Sequence, residues 1–260
     1  MTYVKLLILL FFNTVIEFLP VSSTAHSILL RKMLQLNFNL DLILAFSQLA
    51  ISLSLCFYFR TKIIDLVRSM FFETKKCTIF CMKIVLTMLP TLVFGFFFYR
   101  VIKNYLYTEK TIALCLIIGA IFMLILEKVC KSGIIENFHE IDYKLALKIG
   151  LFQCLSLIPG ISRSASTIGA GLFYGLKRGT AVDFSFFISI PLSISACIFD
   201  IYKNASYIGK DNAGVIFYCF CLSLFFSLLF MGKIINVVKT NKLSIFAYYR
   251  IVVGTILGHL

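Results

Sequence analysis

Residues 159–167 place one arginine, three serines and one threonine inside a strongly apolar sequence, directly after a Pro-Gly pair. A Pro-Gly pair breaks regular structure, so a new helix should begin just after it. The first amides of a helix have no intrahelical partner and favour a bound anion, and an arginine adds a planar fork that matches phosphate oxygens. The pattern predicts half of a phosphate-binding site. Its candidate residues are Ser162, Arg163, Ser164 and Thr167.

A second polar turn, at residues 17–26, is expected to face the first one and carries groups that the first one lacks. Glu17 is a carboxylate in an apolar segment, and an ionisable residue at membrane depth is a functional-site candidate by default. A proline follows, and then the hydroxyls of Ser22, Ser23 and Thr24 lie at the start of another helix. His26 comes three residues after Ser23, so both side chains can face one point. A carboxylate, a nucleophile or base and an anion clamp together fit phosphoryl transfer.

Each turn also has a simpler interpretation. The turn at Arg163 could be a Ser/Gly-rich contact between helices, with an arginine that extends to the membrane surface. Arg163 lies too far from either end of its apolar segment for that to be easy, and its cost at membrane depth is about 2.5–3.5 kcal/mol. A lone helical histidine is more often a satisfied core residue, but His26 shares its turn with a glutamate and two serines.

The bulk composition is that of a membrane protein. Of 260 residues, 60% are hydrophobic and only 14% are charged, whereas soluble domains average about 25% charged residues. The net charge of +13 falls in short gaps between apolar runs, where basic residues set topology and meet anionic lipid headgroups. This placement argues against nucleic-acid binding.

Cysteines and the first residues of the chain allow two further exclusions. Nine cysteines are an odd number and lie mostly in apolar runs, which argues against a disulfide framework. Cys77 and Cys81 have no histidine or second cysteine pair near enough to complete a zinc site. The opening apolar run resembles a secretory signal, but Glu17 and Pro20 interrupt it before any cleavage site, so we expect no cleavage.

The order of apolar segments repeats, with a proline-broken hairpin followed by three full spans in each half. Three spans per half is an odd number, so the second half enters the membrane upside down. We predict an all-α polytopic membrane protein with an inverted-topology repeat, six full spans and two re-entrant helical hairpins. It forms one membrane domain with repeat halves 1–138 and 139–260. The expected spans are residues 40–59, 84–99, 111–126, 181–202, 215–231 and 245–257.

Positive charge orients this arrangement. We expect the basic loop at 60–83, the polar gap of mixed charge at 127–148 and the lysines at 233–242 to lie on the cytoplasmic side. The gaps around Lys103 and at 203–210 are expected on the other side. The small-residue helix after the second turn is expected to end at Lys177 and Arg178. His139 is expected to be a solvated loop residue.

The two turns resemble the signature loops of the bacterial undecaprenyl-diphosphatases, also called bacitracin-resistance proteins. The similar stretches read EFLPVSSTAH from Glu17 and PGISRSAST from Pro159, with further likeness in FQCLSLI from Phe152 and FSFF from Phe184. The resemblance runs nearly end to end. It implies an inverted repeat with two re-entrant hairpins in the bacterial inner membrane. It also implies an enzyme that removes the terminal phosphate of undecaprenyl diphosphate, which regenerates the lipid carrier for peptidoglycan synthesis.

By position, the resemblance assigns roles to individual residues. The implied catalytic residues are Glu17, Ser23, His26 and Arg163, and the implied diphosphate-binding residues are Ser22, Thr24, Ser162, Ser164 and Thr167. It also implies an active site that faces the periplasm, a polyprenyl diphosphate substrate, contacts with membrane lipids, and a homodimer as an option. The residues alone leave open whether His26 attacks phosphorus or activates Ser23 or a water.

A divalent cation, Mg²⁺ or Ca²⁺, is also implied, but the sequence departs from the family where a metal would bind. The family usually has an acidic residue or glutamine four residues before the glutamate, and Asn13 occupies that place. Asn13 and Glu17 are the candidate metal ligands, since i, i+4 spacing puts both on one helix face. A further glutamate expected four residues before Gln48 is Leu44, which weakens the case for Gln48.

A transporter or flippase of a polyprenyl-phosphate lipid is the alternative function. Inverted repeats with broken helices are typical of transporters, and an anion site at mid-membrane would suit a phosphate headgroup. The combination of His26 with Glu17 and Ser23 favours the phosphatase, because transport alone needs no nucleophile or base.

Overall fold

The computed structural model describes residues 2–35, 40–72, 74–130, 133–204 and 210–259, and this part of the chain is mainly helical. These ranges contain no strand beyond one isolated parallel bridge between Ile135 and Leu176. The helices are α1 (Thr2–Glu17), α2 (Ser23–Met33), α3 (Leu40–Tyr58), α4 (Arg60–Phe72), α5 (Thr74–Val101), α6 (Glu109–Val129), α7 (Tyr143–Gln153), α8 (Arg163–Phe173), α9 (Arg178–Lys203), α10 (Lys210–Thr240) and α11 (Leu243–His259).

Several of these helices are long and apolar enough to cross a membrane. Among the described residues, α5, α6, α9 and α10 meet this condition alone, and α3 with α4 would make a fifth crossing despite a bend of 74° between them. The apolar α11 is shorter, at 17 residues. The chain is therefore a multi-pass membrane protein.

Two pairs of short helices flank the two polar turns. In the first pair, α1 has 16 residues and α2 has 11, and in the second pair α7 and α8 have 11 each. A full span needs about 20 residues, so none of the four is long enough to cross a bilayer upright. Each helix pair is broken where the sequence predicts a break, and the break places both polar turns at helix starts.

Two local expectations were wrong. Residues 60–83 do not form a basic loop, because α4 and the first turns of α5 occupy the described part of this stretch. The charged residues that the structure describes in this stretch lie on helices, and α4 has no buried residue. Lys177 and Arg178 do not end the small-residue helix, since α8 stops at Phe173 and Arg178 begins α9. The exposed position of His139 in a short 3₁₀ turn is confirmed. In the predicted gap at 203–210, residues 205–209 lie outside the described part of the chain.

The packing of helices follows a two-fold pattern. Helix α1 packs against α10, and α7, which has the same place in the second half, packs against α5. Helix α3 packs against α9, and α6 packs against α11. This arrangement brings the end of α1 and the start of α8, which are far apart in sequence, to the same place.

Close approach of α7 to α5 depends on a glycine. A Cβ added to Gly150 would lie 2.4 Å from the backbone oxygen of Thr87. We expect Gly150→Ala to lower the Tm of the detergent-purified protein, because a backbone clash costs about 1–3 kcal/mol and exceeds the gain in helix propensity of about 1 kcal/mol. Gly232→Ala is the matched control, since a Cβ there meets nothing within 4 Å. A Gly150→Ala protein that unfolds at or above the wild-type Tm would contradict this packing.

Candidate functional site

The two polar turns meet through an ion pair. A terminal nitrogen of Arg163, at the first turn of α8, lies 3.1 Å from Oε1 of Glu17, the last residue of α1. Both side chains are mostly buried, with 19% and 11% of their surfaces exposed. The turns also touch directly, because the Ser164 hydroxyl donates to the backbone oxygen of Leu19 at 3.3 Å. The expectation that the two turns face each other is confirmed.

Two further side chains complete this cluster. Gln48 on α3 donates from Nε2 to Glu17 Oε1 at 2.8 Å, and Arg163 donates from Nη1 to Ser193 Oγ on α9 at 2.7 Å. Gln48 has little support from the sequence alone, and Ser193 is not among the residues that the sequence predicts for the site. A glutamine in an apolar span is itself a signal, whereas a serine in a membrane helix is too common to be one.

The start of α8 has the structure that an anion site needs. Ser162 caps the helix, and its hydroxyl accepts from the Ala165 amide at 3.3 Å and lies 3.0 Å from the Ser164 hydroxyl. The amides of the first two helical residues have no intrahelical partner, so they remain for a ligand. Thr167 contributes differently, because its hydroxyl donates to the backbone oxygen of Arg163 at 3.0 Å and also bonds to Ser185 on α9.

The turn before α8 is fixed by a second buried arginine. Gly160 has a φ of 99°, and a Cβ there would lie 2.7 Å from the backbone oxygen of Ile112. Arg250 of α11 is fully buried and donates to the backbone oxygen of Gly160 at 2.9 Å. Within the described residues it forms no ion pair, so backbone oxygens and the sulfur of Met123 satisfy its terminal nitrogens.

The start of α2 is strained and carries unbonded hydroxyls. Ser22 has a φ of 73°, which costs a residue other than glycine about 1–3 kcal/mol and is found mostly at functional sites. Ser23 and Thr24 are half-buried, and in the described ranges their hydroxyls have no hydrogen-bond partner. These two hydroxyls are available to a ligand.

His26, in contrast, is bonded at both ring nitrogens. Nδ1 lies 2.8 Å from the backbone oxygen of Ser22, which can only accept, so Nδ1 carries the proton. Nε2 then accepts from the hydroxyl of Tyr249 at 2.8 Å, and the two rings are stacked with their planes 2° apart. His26 is therefore tied to α11, and its bonds do not reach Glu17 or Arg163.

The sequence matches a known family along nearly its whole length. A family model described as "Bacitracin resistance protein BacA" matches residues 6–256. The chain belongs to this family. A protein of Nitrosospira multiformis named undecaprenyl-diphosphatase is 37% identical over 92% of this chain and 88% of its own length. Undecaprenyl-diphosphatase 2 of Shewanella oneidensis is 33% identical over 98% and 97%, and undecaprenyl-diphosphatase of Acinetobacter baumannii is 34% identical over 98% and 94%.

The candidate metal ligands of this BacA-family protein are only partly free. The amide oxygen of Asn13 accepts from the Ser27 hydroxyl at 2.8 Å, whereas Oε2 of Glu17 has no partner among the described residues. The described part of the chain contains no group of three or more His, Cys, Asp or Glu side chains that could hold a metal ion. One free carboxylate oxygen is enough for a Mg²⁺ ion, which keeps most of its water ligands and binds phosphate oxygens of the substrate. Ca²⁺ takes more oxygen ligands from the protein, so this site fits Ca²⁺ less well.

The bond between Tyr249 and His26 can be tested by removing one oxygen. We expect Tyr249→Phe to lower kcat by about 2-fold to 10-fold, because a hydrogen bond contributes about 0.5–1.5 kcal/mol. The lost bond orients the His26 ring, which in turn donates to the backbone oxygen of Ser22. Steady-state phosphate release measures this. Tyr248→Phe is the matched control, since Tyr248 is 62% exposed and precedes Tyr249 directly. A rise in kcat would instead show that Tyr249 restrains a His26 that must be free to react.

Proposed function

We propose that this protein is an integral membrane phosphatase that hydrolyses undecaprenyl diphosphate to undecaprenyl phosphate and inorganic phosphate, and so recycles the lipid carrier for peptidoglycan synthesis. The observation that carries the proposal is the pairing of Arg163 with Glu17 beside the start of α8. This ion pair brings the anion-binding guanidinium of Arg163 and the carboxylate of Glu17 together in a mostly buried site. The names of the BacA-family relatives supply the substrate.

In this proposal, the terminal phosphate binds at the start of α8. The first amides of that helix and the guanidinium of Arg163 supply donors and positive charge. The buried Nε of Arg163 has no partner within the described residues, which leaves one donor for the substrate. The hydroxyls of Ser22 and Thr24, at the start of α2, would bind the same ligand, and Ser162 and Ser164 keep the start of α8 in shape.

Ser23 is the group that we assign to the attack. Its hydroxyl is unbonded in the described part of the chain, whereas both ring nitrogens of His26 are occupied. Ser23 Oγ bonds to the terminal phosphorus, and the bond from that phosphorus to the bridging oxygen breaks, so undecaprenyl phosphate leaves with the electron pair. Oε2 of Glu17 accepts the hydroxyl proton. Glu17 passes this proton to the departing undecaprenyl phosphate. A water then attacks the phosphoserine, one of its protons stays on the inorganic phosphate that leaves, and the other restores the Ser23 hydroxyl.

His26 acts on this step through the backbone. Its Nδ1–H holds the carbonyl of Ser22, the strained residue directly before Ser23. Tyr249 holds the other side of the ring. His26 is thus a positioning residue in the proposal, and a direct attack by its Nε2 would first require the bond to Tyr249 to break.

A divalent cation remains part of the proposal. Diphosphate oxygens and the amide oxygen of Asn13 would hold it, because that oxygen keeps a second lone pair beside the one that Ser27 uses. Oε2 of Glu17 would bind the ion only while it is not acting as the base for Ser23. When bound, such an ion neutralises charge on the diphosphate. The replacement of an acidic residue or glutamine by Asn13 suggests weaker metal binding than in other family members.

The membrane arrangement that we propose has six crossings and two re-entrant hairpins, formed by α1 with α2 and by α7 with α8. The two-fold packing of α1 on α10 and of α7 on α5 supports an inverted repeat with halves 1–138 and 139–260. We place the protein in the bacterial inner membrane, with the positive charges near residues 60–83, 127–148 and 233–242 on the cytoplasmic side. The resemblance to the undecaprenyl-diphosphatases supports a site that opens to the periplasm. A homodimer is compatible with this arrangement.

The decisive experiment measures phosphate release from undecaprenyl diphosphate by the purified protein in liposomes. The proposal expects one inorganic phosphate per lipid, with undecaprenyl phosphate as the other product. Transfer of the labelled headgroup across the bilayer with no phosphate released would instead support the transporter alternative. Dithionite quenching of a fluorescent polyprenyl-phosphate analogue measures that transfer in the same liposomes.

A further inference from the structure

Ser193 lies at the centre of the cluster that joins α1, α3, α8 and α9. It is only 6% exposed. Arg163 donates to its oxygen from Nη1 at 2.7 Å, and Gln48 donates to the same oxygen from Nε2 at 3.4 Å. The amide orientation of Gln48 follows from its other bond, because only the NH₂ group can face the carboxylate of Glu17.

The hydrogen-bond count at Ser193 leaves its proton unused. A serine hydroxyl has two acceptor positions and one donor. Both acceptor positions of Ser193 are taken by nitrogen donors, and the described residues offer no acceptor for its proton. Other serines on α9 behave differently, because Ser189 donates to the backbone oxygen of Phe186 at 2.7 Å and Ser195 donates to that of Pro191 at 2.8 Å.

We propose that Ser193 is a substrate-binding residue whose hydroxyl donates to a phosphate oxygen of the diphosphate. This inference rests on the phosphatase function proposed above. A second observation points to the same ligand, since the buried Nε–H of Arg163 is also an unpaired donor in the described structure. The Ser193 hydroxyl and the Arg163 Nε–H are thus two donors without an acceptor, on side chains that are hydrogen-bonded to each other. A phosphate oxygen is the acceptor that the substrate would bring.

Ser193 would also transmit substrate binding to α3. Its oxygen accepts from Gln48, and Gln48 in turn bonds to Glu17. When a phosphate oxygen accepts a hydrogen bond from the Ser193 hydroxyl, the serine oxygen becomes a stronger acceptor for Arg163, because hydrogen bonds in a chain polarise one another. The serine thus ties the anion clamp to the carboxylate side of the site.

The test compares Ser193→Ala and Ser193→Thr with Ser195→Ala as the matched control. Ser195 lies two residues further along α9, and its hydroxyl donates only to the backbone oxygen of Pro191 in the same helix. We expect Ser193→Ala to lower kcat/KM for undecaprenyl diphosphate about 10-fold and to raise the inhibition constant for inorganic phosphate by a similar factor. Ser193→Thr, which keeps the hydroxyl, should restore most of both values. Ser195→Ala should match the wild type.

Each alternative outcome counts against the inference in a recognisable way. Wild-type kcat/KM and phosphate inhibition in Ser193→Ala would overturn it while leaving the phosphatase function intact. A loss of activity accompanied by a lower Tm, and not restored by threonine, would overturn it in favour of a packing role. A wild-type protein that releases no phosphate would overturn the proposed function and this inference together.

Discussion

Arg163→Ala is expected to lower kcat/KM for undecaprenyl diphosphate by about 10³-fold, the magnitude that a charge-stabilising arginine contributes to phosphoryl transfer. The guanidinium is the one cation bonded into the Glu17 cluster of the described structure, and its Nε is unpaired there. Arg163→Lys should recover little of the loss, because an ammonium cannot bond Glu17, Ser193 and a phosphate in one plane. Phosphate release in detergent measures the effect.

Loss of folding must be separated from loss of chemistry in this experiment. Arg163→Ala leaves the Glu17 carboxylate buried without its partner, which is destabilising in itself. The double variant Glu17→Gln, Arg163→Ala removes both charges, so it should regain a Tm near that of the wild type and remain inactive. Arg31→Ala is the control for loss of an arginine, since Arg31 is exposed at the end of α2. An Arg163→Ala enzyme with a tenth or more of wild-type activity would contradict the site.

Ser23→Ala is expected to lower kcat by about 10³-fold, because it removes the oxygen that we assign to the bond with phosphorus. Acid quenching of the wild-type reaction with substrate labelled in the terminal phosphate should trap label on Ser23, and peptide mass spectrometry would locate it. The trapped label should be absent from Ser23→Ala.

The result for Ser23 also decides among the mechanisms that the residues left open. Ser69→Ala, in which the lost hydroxyl bonds only to the backbone of α4, controls for removal of a serine. If Ser23→Ala retains activity and His26→Ala abolishes it with label trapped on histidine, then His26 is the nucleophile. If neither residue is labelled while both variants are slow, a water attacks phosphorus directly.

Much of the site could be predicted because its residues are conspicuous where they lie. A glutamate, a histidine and an arginine in apolar segments are costly, and prolines mark the helix breaks beside them. The meeting of Glu17 with Arg163 follows from the repeat, which can be read as a pattern of segments. These features depend on sequence order and polarity, both of which are visible without a structure.

Other features depend on packing between distant helices and give no such signal. Ser193 looks like any serine of a membrane helix until Arg163 and Gln48 are seen to bond to it. Tyr249 looks like one member of an aromatic pair, and only the crossing of α11 near α2 brings it to His26. The charges at 60–83 suggest a loop, whereas α4 and the start of α5 carry them on helices, and α4 buries no side chain.

The ion pair between Glu17 and Arg163 has a consequence for how the two halves of the chain depend on each other. Each half supplies one charge, and each charge alone would cost about 2.5–3.5 kcal/mol at membrane depth. If the chain were cut in the polar stretch between α6 and α7, each fragment would carry one buried charge without its partner. Because association would form the ion pair between Glu17 and Arg163 again, it would favour binding of the two fragments to each other. The contact that prepares the site for a phosphate would then also act as the recognition element by which two separately made half-proteins find one another.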